Sequence, residues 1–323
     1  MMRTMPILDK PLAELWKYQG MNPRPKDFDA YWDRALKELD ATPPKAELKS
    51  NPTIQGSGFE CFDLTFSGVG DSRIHAKYLR PKSKGRHAAV LHFHGYAWNN
   101  GDWISHLTFL AKDFCVAAMD CRGQGGKSED LTPVKGNTLS GHIIRGLDDH
   151  PDKLLFRRIF LDTAQLARVV ASLPEVDPDR LGAHGGSQGG GLTLACAALE
   201  PRIRRIAPVH PFLSDYQRVW EMDLAKDAYQ ELKAYFRFFD PRHERAKEVF
   251  TTLGYIDVHH LAKRVKAETL MATGLQDAIT PPSSVFAAFN NLPGKKEMMV
   301  YPDYGHEAMP GFGDRAFEFL GKL

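Results

Sequence analysis

No apolar run in the 323-residue chain approaches the roughly 18 residues needed to cross a bilayer, so no membrane-spanning segment is expected. The first fifteen residues are interrupted by Arg3, Pro6, Asp9, Lys10 and Pro11, which leaves no stretch suited to an export signal. Cysteine is scarce: only Cys61, Cys115, Cys121 and Cys196 occur, without C-x-x-C or zinc-ligand spacing. They read as free thiols of a cytoplasmic protein, three of them facing the core from strands or a helix. An excess of one charge is also missing. Lysine and arginine total 42 against 40 acidic residues, with no block of either sign, which argues against nucleic acid or a membrane surface as partner. Repeats and low-complexity tracts are absent.

What is present suits one large α/β domain spanning residues 1–323, since 43% of residues are hydrophobic and 25% charged. Residues 1–45 read as a helical N-terminal extension. Phe28, Tyr31, Trp32, Ala35, Leu36 and Leu39 recur at helical spacing, and Thr42, Pro43 and Pro44 stop the helix. Phe62, Leu64 and Phe66, then Ile74, Ala76 and Tyr78, alternate with polar residues and predict two half-exposed strands. Short continuous apolar runs follow at 88–93, 114–119, 180–184, 205–210, 269–273 and 297–301. Such runs mark parallel strands covered on both faces. The expectation is an eight-stranded, mostly parallel sheet with helices on both faces. An aromatic insertion at 212–262, before the seventh strand, is expected to act as a lid or an oligomer contact, although simple packing explains most of its rings.

Ligands of open α/β sheets bind beyond the carboxyl ends of the strands, and there the chain carries G-x-S-x-G around Ser187. Read as strand, sharp turn and helix, this segment forces Ser187 into a strained conformation. Gly185 and Gly189 let strand and helix pass closely. A serine hydroxyl needs a base, itself oriented by an acid. In this arrangement the chain order is serine, acid, histidine. His306, in the loop after the last strand, is the base chosen from thirteen histidines. His94, His184 and His210 read as loop or core residues satisfied by backbone groups, and His259 and His260 as helical. Asp277 leaves the seventh strand and is the chosen acid. Asp303 reads as a brace of the His306 loop, and Asp120 ranks third.

Acyl transfer builds negative charge on the carbonyl oxygen, which calls for fixed N–H donors. The N–H of Gln188 comes with the turn, at the start of a helix. The second donor is assigned to the N–H of Tyr96, after the third strand. Arg122, Gly123 and Gln124 lack the spacing of a phosphate loop, and Arg122 is expected to support the serine turn through carbonyls or a carboxylate.

Taken in order, Arg122-Gly123-Gln124, Gly185-Gly186-Ser187-Gln188-Gly189-Gly190 and His306-Glu307 resemble the acetyl xylan esterase and cephalosporin-C deacetylase family, the seventh carbohydrate esterase family. The likeness runs nearly end to end, from Asp9-Lys10-Pro11-Leu12 to Phe286-Ala287-Ala288-Phe289-Asn290. It implies an α/β-hydrolase fold and a metal-free, cofactor-free serine esterase acting on short acetylated sugars and cephalosporin C. It also implies a hexamer, acyl transfer to peroxide as well as water, a Ser187, Asp277, His306 triad and the donors Tyr96 and Gln188. Leu154-Leu155-Phe156 before Arg157, and Thr280 before Pro281-Pro282, depart from the family pattern and are read as part of the substrate wall. Two rivals are compatible with the sequence: a peptidase or amide hydrolase, with an arginine such as Arg157 as terminus clamp, and a non-catalytic binding protein.

Overall fold

The protein is described by a computed structural model covering residues 8–54 and 56–323; Arg3 and Pro6, cited against an export signal, lie outside them. Its centre is one sheet built from β1 (Glu47–Ser50), β2 (Phe59–Ser67), β3 (Arg73–Pro81), β4 (His87–Phe93), β5 (Cys115–Met119), β6 (Val176–Gly186), β7 (Ile203–Val209), β8 (Glu268–Gly274) and β9 (Lys296–Tyr301). The strand order is β1-β2-β3-β5-β4-β6-β7-β8-β9. Pairings among β1, β2, β3 and β5 are antiparallel, and all others are parallel. This is the expected architecture with one strand added. The four residues of β1 are all exposed, so no burial pattern announces them; pairing with β2, Glu47 opposite Thr65, makes them a strand. β3 is also more buried than its alternation suggests, because His75 turns into a pair of carboxylates, Asp63 and Asp120, at 2.8 Å each.

The helices are α1 (Leu12–Leu15), α2 (Phe28–Asp40), α3 (Leu155–Ser172), α4 (Gln188–Leu199), α5 (Tyr216–Glu221), α6 (Gln230–Phe239), α7 (Ala246–Leu253), α8 (Val258–Leu261), α9 (Pro282–Asn290) and α10 (Phe312–Leu320). Side chains alternate across a strand, so each inner strand feeds two cores. Ala89, Leu91 and Phe93 of β4 join the core under α2, α3 and α4, whereas Ala88 and Val90 join the one under α10. Every residue of α4 is buried, which places this helix between the sheet and α3 and directs its first turn at the carboxyl edge. Leu154, Leu155 and Phe156 are buried in the same core, which corrects their reading as substrate wall. In the insertion, Phe212, Tyr216, Tyr229, Tyr235 and Phe236 are buried and only Phe238 and Phe239 stand out into solvent. All four cysteines are free and buried. No helix among the described residues is long and apolar enough to cross a membrane.

Arg122 is fully buried and corrects a second expectation. Its guanidinium grips Asp162 of α3 with two bonds, Nε to Oδ2 at 2.6 Å and a terminal nitrogen to Oδ1 at 2.7 Å. It also donates to the Val69 carbonyl at 3.2 Å. It therefore ties α3 to the β2–β3 turn rather than bracing the serine turn. Removing Asp162 leaves a desolvated guanidinium whose remaining carboxylate, Asp130, lies 3.7 Å away. Asp162→Ala is expected to lower stability by about 3–5 kcal/mol, read by urea denaturation. A loss below about 1 kcal/mol would mean that water reaches the pair.

Candidate active site

β6 ends in a turn that only a few backbones can make. Ser187 has φ 55° and ψ −121°, a conformation unusual for a residue with a side chain and held only where its surroundings over-determine it. Glycine clears the space around it: a Cβ at Gly189 would lie 2.0 Å from the Phe93 carbonyl oxygen, and one at Gly185 would lie 2.6 Å from the same atom. Gly190 and Gly191 are held to the same standard, at 2.7 Å from the Val209 oxygen and 2.4 Å from the Phe212 oxygen. The neighbours of these two arrive from β7 and the chain beyond it, so the turn pattern by itself does not announce why glycine stands there.

Register aligns the strand ends that carry the other groups. Phe93 lies opposite Gly185, Gly186 opposite Val209, and Val209 opposite Ala272, so the loops after β4, β6, β7 and β8 open at one edge. After β8, the fully buried Asp277 receives four hydrogen bonds. Its Oδ1 accepts from the N–H groups of Ile279 at 2.9 Å and Thr280 at 2.8 Å; its Oδ2 accepts from Thr280 Oγ1 and from His306 Nδ1, both at 2.8 Å. Burial pushes this carboxyl up, but the bonds from His306 and Thr280 outweigh it and hold Asp277 below the usual carboxylate range. With Nδ1 committed, His306 has Nε2 left for chemistry.

Among the described residues no protein acceptor engages the N–H of Tyr96 or of Gln188. Gln188 owes this to its place as the first residue of α4. The side chains of Gln188 and Gln124 exchange two hydrogen bonds, at 2.9 and 3.0 Å, and Gln124 Oε1 also accepts from the Ala97 N–H at 3.1 Å. One amide thereby fixes the loops that carry both free donors. Gly123, at φ +66°, turns the chain so that Gln124 reaches them.

A strained serine, a histidine–aspartate pair and two free N–H groups at one sheet edge belong to acyl-transfer chemistry. The sequence matches the acetyl xylan esterase (AXE1) family over residues 5–323. The chain belongs to that family. It is a carboxylic ester hydrolase. It is similar to acetyl xylan esterase 1 of Thermoanaerobacterium sp. JW/SL YS485, at 60% identity and TM-score 0.96, covering 97% of this chain and 99% of that one. It is also similar to the acetyl xylan esterase of Paenibacillus sp. R4, at 34% identity and TM-score 0.93, covering 97% and 100%. Acetyl esterase Axe7A of Xylanibacter ruminicola is 26% identical over 318 residues, 93% of this chain and 70% of that protein.

Several residues of the esterase lie elsewhere than the sequence suggested. His210 was expected to be satisfied by backbone groups. Instead its ring packs against that of His306, tilted by 37° with centroids 4.2 Å apart, and its buried Nδ1 has no partner among the described residues. Burial and the neighbouring His306 push its imidazole down to about 4, so it stays neutral. Its Nε2 lies 3.7 Å from where a Cβ on Gly186 would sit, next to Ser187. Ser187 itself makes no hydrogen bond to His306 among the described residues. Thr280, taken as substrate wall, is a bond donor to the Asp277 carboxylate. Asp303 is exposed and makes no hydrogen bond among the described residues; Glu307 braces the loop by accepting from the Gly305 N–H at 3.1 Å. Asp120 is held by His75, the N–H of Asn100 and that of Lys127. His94 is satisfied by the Gly95 carbonyl and the Cys121 N–H, whereas His184 packs ring to ring on His92. His259 and His260 lie in α8. Arg157 is buried, 2.7 Å from Glu38, and is not free to clamp a peptide terminus.

His210, Asp277 and His306 bring two imidazoles and a carboxylate within 4.8 Å, and Asp257, His259 and His260 form a similar group. Such donors suit a transition metal. In the first group an ion would have to displace the bonds by which Asp277 orients His306.

Proposed function

We propose that this esterase removes acetyl groups from acetylated xylo-oligosaccharides and from cephalosporin C-like acetyl esters through an acetyl-enzyme, within one α/β-hydrolase domain spanning residues 1–323. Ser187 Oγ attacks the acetyl carbonyl while His306 Nε2 takes its proton. The N–H groups of Tyr96 and Gln188 hold the oxyanion, and Asp277 stabilises the imidazolium. Collapse breaks the ester bond, and the departing sugar oxygen takes the proton from His306. Water then attacks the acetyl-serine, gives a proton to His306 and releases acetate, and that proton returns to Ser187. The observation that carries this reading is the 2.8 Å bond from His306 to a carboxylate saturated with donors, at the edge where the strained serine turn ends.

Support for an acetyl ester rather than a peptide comes from family membership and from the engaged Arg157. A fluorophosphonate should label Ser187 alone. Acetate release from acetylated xylo-oligosaccharides should exceed hydrolysis of aminoacyl amides by at least about a hundredfold, the scale on which one site separates substrates. An unlabelled serine, or faster amide cleavage, would refute the assignment. The exposed Phe238 and Phe239 fit an oligomer contact of the insertion, for which the family resemblance implies a hexamer; light scattering reads the mass directly.

A further inference from the structure

The insertion meets the catalytic edge at one buried acid. Glu231, in the first turn of α6, is 6% exposed, yet forms no ion pair among the described residues. Its Oε1 accepts from the Tyr96 hydroxyl, and its Oε2 accepts from the Ile144 N–H at 2.9 Å. The same hydroxyl accepts from the His142 N–H at 3.0 Å. Gly141, at φ +146°, leaves the room that this requires, since a Cβ there would come 2.2 Å from Glu231 Oε2. The Tyr96 ring stands edge-on to Phe212, with centroids 5.2 Å apart, and to His142 at 5.1 Å. Tyr96 is thus held at its ring and at its hydroxyl by three separate segments.

Burying a carboxylate without a cation is unfavourable, and here burial raises the Glu231 carboxyl to about 7. An apolar side chain would avoid that charge but would leave the Tyr96 hydroxyl and the Ile144 N–H without an acceptor. What the acid does is fix the residue whose main chain carries a free N–H. Ala97, the next residue, is in the left-handed region at φ 57° and is tied to Gln124 on its other side. The segment 95–97 is therefore anchored through Gln124 and, by way of the Tyr96 side chain, through Glu231.

We propose that Glu231 is a positioning residue of the oxyanion hole, acting on the Tyr96 N–H through the Tyr96 hydroxyl and coupling the insertion to the rate of acyl transfer. The inference rests on the reading of Tyr96 as an oxyanion donor. A donor must lie about 2.7–3.1 Å from the developing oxyanion, and loss of one lowers turnover roughly a hundredfold or more. Loosening rather than removing it should lower turnover by about ten- to a hundredfold.

The test uses Tyr96→Phe, Glu231→Leu, Glu231→Gln and the Tyr96→Phe/Glu231→Leu pair in the full chain, with kcat and KM for 4-nitrophenyl acetate and the melting temperature of each. Tyr96→Phe and Glu231→Leu should lower kcat about ten- to a hundredfold with KM within about twofold. The pair should fall no further than the worse single change, because both cut one link. In Glu231→Gln the amide oxygen stays on the Ile144 N–H and the NH2 group donates to the Tyr96 hydroxyl oxygen, so a link to that hydroxyl persists in the reverse direction and kcat should lie between those of the parent and Glu231→Leu. Lower melting temperatures with unchanged kcat in Tyr96→Phe and Glu231→Leu would overturn the proposal. If Glu231→Leu does not fold, Tyr96→Phe decides, since it removes one oxygen atom. An inactive Ser187→Ala beside a fully active Tyr96→Phe would sink this proposal and leave the esterase reading standing, whereas an active Ser187→Ala would sink both.

Discussion

Ser187→Ala is expected to lower kcat for an acetyl ester by roughly a millionfold, leaving only the catalysis that binding and the oxyanion donors supply without a nucleophile. The fold should survive. The Ser187 hydroxyl makes no hydrogen bond among the described residues, while the backbone bonds that hold the turn do not involve it. Ser187 N–H donates to the Val209 carbonyl at 3.0 Å, and the Ser187 carbonyl accepts from Phe212 at 2.9 Å and Gly191 at 3.1 Å. Alanine meets the same φ of 55° with a smaller side chain, so the melting temperature should shift by no more than a few degrees. Fluorophosphonate labelling should vanish together with turnover. Loss of turnover with labelling intact would point to a different nucleophile.

The second large effect is Asp277→Asn, expected to lower kcat about ten-thousandfold at neutral pH. The reason lies in which oxygen faces which donor. Oδ1 accepts from two backbone N–H groups, Ile279 and Thr280, so an asparagine must keep its oxygen there. Its NH2 group then takes the place of Oδ2 and points at His306 Nδ1. Facing a donor, Nδ1 can only accept, which puts the imidazole proton on Nε2 and leaves no lone pair to receive a proton from serine. Thr280 can rotate its hydroxyl to accept, so the local packing stays intact and the melting temperature should change little. A variant within tenfold of the parent would show that Asp277 does not set the tautomer.

Much of the fold was legible because the signals that carry it are local. Helical spacing from Phe28 to Leu39 matches α2, and six continuous apolar runs match the six parallel strands to within a few residues. The two alternating runs match β2 and β3. β1 was not legible, since Glu47 to Ser50 have no buried face and exist as a strand only through their partner. At the site, the pattern around Ser187 was readable because a tight turn constrains its own neighbours. The place of His210 was not. Nothing in Val209-His210-Pro211 says that the ring will pack against a residue 96 positions later.

Arg122 and Thr280 teach the same lesson from opposite sides. Arg122 was expected to use a carboxylate and carbonyls, and it does, but Asp162 and Val69 are the partners rather than the serine turn. Thr280 stood out as a departure in sequence, and its hydroxyl turns inward to Asp277 instead of outward to substrate.

By itself the sequence determined eight of the nine strands in chain order, helix α2, the serine turn with its close-packed glycines, and the residue types from which an ester hydrolase is built. These depend on backbone sterics and on periodicities a few residues long, which a chain carries wherever it goes. Tertiary structure alone decided which carboxylate takes which guanidinium, which histidine lies against His306, and that a buried glutamate of the insertion reaches the Tyr96 hydroxyl. Those choices depend on distances of a few ångströms between segments far apart in the chain, and only the packed sheet and its helices set them.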